Sequence, residues 1–72
     1  MDINAVVMHL EKEIEGLDNA IKRDSLLVIK EISCGHYYDA IIHLIDINNF
    51  ESRADALRTA IYQMELIGEK NV

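Results

Sequence analysis

The sequence predicts an all-α protein, an antiparallel hairpin of two long helices that completes a bundle by oligomerisation or with a partner. Three features point to this architecture. Apolar residues recur every three or four positions along most of the 72 residues, which is one face of an α-helix and not the alternation of a strand. A glycine, Gly35, stands near mid-chain and divides it into two arms of similar length. On both sides of that glycine the chain is apolar nearly all round, more than two helices can cover for each other.

The first helix is predicted from about residue 2 to 33. Its apolar series runs Val7, Leu10, Ile14, Leu17, Ile21, then Val28 and Ile32, and Asp24 and Ser25 occupy the step that the series skips. Asp2 or Asn4 can cap its start by accepting from a free amide of the first turn. Gly16 costs about 1 kcal/mol against Ala within a helix, but the apolar phase is the same on either side of it. The turn is predicted at Cys34-Gly35-His36, because a glycine just past the last periodic residue adopts the left-handed conformation without a Cβ clash.

The second helix is predicted from about residue 37 to 67, ending at Gly68. Its series is Ala40, Leu44, Ile47, Phe50, Ala54, Leu57, Ile61 and Met64. Asn48-Asn49 could break it, with Asn49 capping a third helix. The three–four rhythm nevertheless continues from Ile47 through Phe50 to Ala54, and a loop would normally shift the phase. Each helix would be roughly 45 Å long at 1.5 Å per residue. The whole chain reads as one domain, residues 1–72.

Composition removes several classes of function. With 50% apolar residues the chain can offset its ordering entropy and is not disordered. One cysteine cannot staple a disulfide scaffold and fits a reducing compartment. The longest apolar runs are four residues, against the roughly 18 that a membrane span needs. The first residues lack a signal-peptide pattern, so a cytoplasmic location is expected. Seven Lys and Arg are dispersed among thirteen Asp and Glu, for a net charge of −6. A phosphate backbone or an acidic membrane surface attracts clustered basic groups instead.

No catalytic constellation stands out, and no enzyme activity, cofactor or small-molecule substrate is expected. Three scattered glycines cannot form a phosphate loop. Cys34 falls at a helix C-terminus, where the dipole opposes the thiolate. The carboxylate pairs Glu11/Glu15 and Glu65/Glu69 read as solvated faces. His36, Asp39, His43 and Asp46 form one polar stripe at spacings of three, four and three. Imidazole and carboxylate in helical register can bind a divalent metal. The spacing matches no established motif, however, and the stripe's ends are about 15 Å apart on one helix. At most His43 with Asp39 or Asp46 could share an ion. The stripe is therefore expected to be a solvent-facing strip without metal.

The surplus of apolar surface carries the functional expectation. Leu26, Leu27, Ile29, Tyr37, Tyr38, Ile41, Ile42 and Ile45 are the expected interface residues. The expected partners are a second copy of the chain, a helical protein, or both. The segment Ala56-Leu57-Arg58-Thr59-Ala60-Ile61, the Gly-marked turn and the overall length resemble the small helical-hairpin co-chaperones of type III secretion needle subunits. That resemblance implies a hairpin paired with a helical-repeat chaperone, together shielding a needle protein from premature polymerisation. The expected function is a non-enzymatic interaction module, a small chaperone or adaptor subunit in a homo- or hetero-oligomer. The alternative is a phage or mobile-element accessory protein that inhibits a host factor through its acidic helical surface. That reading asks for carboxylates gathered on one exposed face, and here they are spread along the chain.

Overall fold

A computed structural model describes residues 2–70. Two helices pack antiparallel, α1 (Ile3–Ser33) and α2 (Tyr37–Lys70), in a rod 57 × 14 × 13 Å. Among the described residues there is no strand. Asp2 caps α1, its carboxylate accepting from the amide of Asn4 at 3.0 Å. Asn4 is thus the recipient of the cap, not the cap itself.

The turn follows from Gly35. Its φ is +78°, the only positive φ among the described residues, and a side chain there would clash with its own backbone. With Gly35 left-handed, the His36 amide donates back to the Glu31 carbonyl at 2.8 Å and the Gly35 amide to Ile32 at 3.1 Å. These two bonds form a Schellman cap, which satisfies the last carbonyls of α1. The chain then re-enters helix at once, the His36 carbonyl accepting from the Ala40 amide at 3.1 Å.

The second helix is continuous through Asn48-Asn49. It also passes Gly68 and runs on to Lys70, where the spacing placed a stop. Gly68 is helical, as are Glu69 and Lys70 after it, and a Cβ there would meet only Ile3 Cδ1, at 3.9 Å.

The antiparallel register is set by pairs along the rod. Ile3 lies beside Gly68 at the open end. Arg58 on α2 donates from Nη2 to both oxygens of Asp18 on α1, at 3.2 and 3.3 Å, and from Nη1 to Asp55 at 3.2 Å. His36 Nδ1 sits 2.9 Å from Glu31 Oε2 at the turn. The core between the helices is thin. Its buried apolar residues are Val7, Val28, Ala40 and Ala54, and no large side chain is fully buried. Ala40 and Ala54, at 3% and 0% exposure, are where α2 is most completely covered.

Candidate functional site: the turn end

In the arm half of α2 the helix behaves as its sequence suggests. Phe50, Ala54, Leu57, Ile61 and Met64 turn toward α1 and are buried or half-buried. Because α2 is unbroken, that phase is carried rigidly into the turn half. From Phe50 toward the turn, helical intervals lead to Ile47 and Asp46, then His43, then Ala40. These four are buried or half-buried. Leu44, which the apolar series placed inward, is 50% exposed.

The polar stripe therefore divides. His36 and Asp39 are exposed, as a solvated strip would be. His43 and Asp46 lie at the edge of the seam, each with a ligand atom within 4.8 Å of one on Asp24 of α1, a residue only 5% exposed. The expectation that the whole stripe faces solvent is corrected at these two residues. The physical reason is the arm: burying five apolar residues beyond Asn49 outweighs turning Leu44 and Ile45 inward.

The same inversion occurs on α1. Glu31 is half-buried, while Ile32, assigned to the inward series, is 50% exposed. At the turn end the polarity is partly inverted: Asp24, Glu31, His43 and Asp46 lie in or beside the seam with Val28 and Ala40, while the large aliphatic and aromatic side chains from Leu26 to Ile45, Leu27 excepted, are exposed. Ser25 settles its hydroxyl within α1 by donating to the Ile21 carbonyl at 2.7 Å, and Ser33 donates to Ile29 at 2.9 Å.

The expected interface residues fall on this outer surface with one exception. Leu26 (69%), Ile29 (63%), Tyr37, Tyr38 (84%), Ile41, Ile42 and Ile45 are all exposed. Leu27 is half-buried. Ile32 and Leu44 belong to the outer surface too, and their inward assignment concealed them. In all, nine of the fourteen exposed large apolar residues lie between Leu26 and Ile45. The other five are at the open end: Ile3, Met8, Tyr62, Leu66 and Ile67. The middle of the rod shows none of them.

On α2 the two sets occupy different sides of the helix. Residues 40, 43 and 47 recur on the seam side, and residues 37, 41, 44 and 45 are centred roughly a third of a turn around the helix from them. Between Tyr37 and Ile45 the one formally charged residue is Asp39, which lies with Glu31 and His36 by the turn. The outward face of this segment is thus uncharged and aromatic-rimmed, a composition that concentrates in interface cores.

Cys34 is free and exposed at the C-cap of α1. No helix of the described residues is long and apolar enough to cross a membrane. The shallow concavities of the rod lie at its open end, one lined by Ile3, Val6, Met64 and Ile67 and another by Ala5, Met8, His9 and Lys12. Neither adjoins the apolar face at the turn. No family model, no curated protein and no solved structure matches the chain.

Proposed function

We propose that the protein is a non-enzymatic interaction module, a small adaptor or chaperone-type subunit that works as an oligomer through its turn-end face. The observation that carries this reading is the partly inverted polarity of residues 24–46. A helix buries its apolar side against something, and here that side faces away from the only other helix among the described residues.

The occupant we assign to the face is a second copy. The chain exposes 5524 Å², whereas a compact monomer of its mass, 8.2 kDa, exposes about 4500 Å². The excess of about 1000 Å² is close to the roughly 800 Å² that each partner buries in an ordinary stable interface. An identical copy supplies an equal and uncharged face. A two-fold axis through the outward face of α2 would bring Ile41, Leu44 and Ile45 of both copies together, as an isologous contact requires. Half of the net charge of −6 falls in residues 24–46, but Asp24, Glu31 and Asp46 lie in or beside the seam and not among Ile41, Leu44 and Ile45. The module would then be a four-helix array with an α2 pair at its centre.

Sedimentation equilibrium at low micromolar concentration tests the assignment. A dimer in the wild-type chain and a monomer for Ile41→Asp support it. A cooperatively folded 8 kDa monomer would overturn it, as would a chain that dimerises equally well with Ile41→Asp.

A further inference from the structure

We propose that Asp24, His43 and Asp46 form a cation site, taking one first-row divalent ion of the zinc type and stapling α1 to α2 behind the apolar face. Each of the three offers a ligand atom, and those atoms lie within 4.8 Å of one another. In a tetrahedral site with bonds of about 2.1 Å the ligand atoms are about 3.4 Å apart, so small side-chain rotations close the set. Both helices contribute: Asp24 from α1, His43 and Asp46 from one face of α2 at a spacing of three.

Burial distinguishes this cluster from an ordinary acidic patch. Asp24 is 95% removed from solvent, and Val28, one turn along α1, and Ala40 on α2 are buried as well. The Asp24 Oδ1 pairs with the neighbouring Arg23, whose Nε is 3.5 Å away and whose side chain is 67% exposed. Asp46 brings a second carboxylate beside it, and two carboxylates against one solvent-screened guanidinium leave a net negative charge at the seam. A divalent ion supplies two charges at once, with the neutral imidazole as its third protein ligand.

The ligand set selects the ion. One imidazole nitrogen with two carboxylate oxygens suits zinc, manganese or iron(II) better than magnesium or calcium, which prefer oxygen alone. Three protein ligands leave a fourth position for water. The neighbouring cluster of Glu31, His36 and Asp39 differs, because His36 is already engaged by Glu31 at 2.9 Å and lies exposed. It provides the internal control.

The experiment uses the full chain without an affinity tag, stripped with EDTA and then titrated with zinc or with magnesium. Melting followed by circular dichroism should rise by about 10 °C or more with zinc at a hundredfold excess over Kd, and little with magnesium. The rise should vanish in His43→Ala and in Asp24→Asn and survive in His36→Ala. Calorimetric titration of the wild-type chain, expected to show one zinc per chain, keeps the test independent of how the variants fold. No zinc-dependent rise in the wild type, or a rise that persists in His43→Ala, overturns the site. Sedimentation of the stripped chain reports the apolar interface separately, so failure of the cation site and failure of the dimer are distinguishable.

Discussion

The arms and the turn end of this hairpin obey different rules. In the arm half, Leu10, Ile14 and Leu17 of α1 and Leu57, Ile61 and Met64 of α2 turn into the seam, and charged residues face water. At the turn end Asp24 is drawn into the seam with His43 and Asp46 at its edge, and Ile29, Tyr38, Ile41, Ile42 and Ile45 face outward. One rigid pair of helices holds both arrangements. A helix has a single phase, so a segment whose apolar side is rotated by roughly a third of a turn cannot bury it against the same neighbour. The arms bury their apolar stripes in the seam, and the turn end leaves most of its large apolar side chains exposed.

That contrast is most vulnerable at the turn end. Ile41→Asp with Ile45→Asp places two carboxylates on the outward face, and an unpaired buried carboxylate costs several kcal/mol. Assembly should be lost altogether, seen as a shift from dimer to monomer in sedimentation. A double variant that sediments like the wild type would show that this face is left in water.

The arm seam responds differently. Ala54 is fully covered, and Ala54→Leu should destabilise by about 1–3 kcal/mol through overpacking. In a domain of this size each kcal/mol lowers melting by roughly 4–8 °C. An unchanged melting temperature would mean that the helices stand far enough apart at Ala54 to admit a larger side chain.

Gly35→Ala tests the hinge between the regions. At a φ of +78° an added Cβ costs about 1–2 kcal/mol, read as a loss of several degrees in melting. A stabilised variant would mean that the turn is not left-handed. Arg58→Ala should matter less. Its ion pair with Asp18 is half-exposed, and such pairs contribute about 0.2–1 kcal/mol, weakening as salt rises. Glu69→Ala, on an exposed site past the last packed turn, should remain within about 0.5 kcal/mol of the wild type. A larger effect at Glu69 than at Ile41 would reverse the pattern of burial along the rod.

The candidate site was legible only in fragments. Its outward face could be read from Leu26, Ile29 and residues 37–45, because an all-round apolar helix signals itself without knowledge of its neighbour. Ile32 and Leu44 were hidden by fitting the inward series too smoothly. The polar layer left a trace in each helix separately: Asp24 interrupts one apolar series, and His43 and Asp46 adjoin the other. Single-helix reasoning could place at most two ligands together, because the third belongs to the opposite arm. That these interruptions stand level is a matter of register, which is a property of the pair.

The features readable from the chain alone are local ones. Helical periodicity, the Asp2 cap, the left-handed Gly35 and the unbroken phase through Asn48-Asn49 all depend on residues within a turn or two of each other. The free energies involved are those of neighbouring backbone and side-chain groups. Which face of α2 meets α1 was settled only by packing. Two apolar faces competed in the turn half, and the arm residues from Phe50 to Met64 won the contest because a continuous helix transmits their orientation. Packing also made Gly68 a helical residue under Ile3 and not a stop, and set Asp24 across from His43 and Asp46. Those outcomes depend on burial summed over the whole seam, a non-local quantity that no window of the sequence contains.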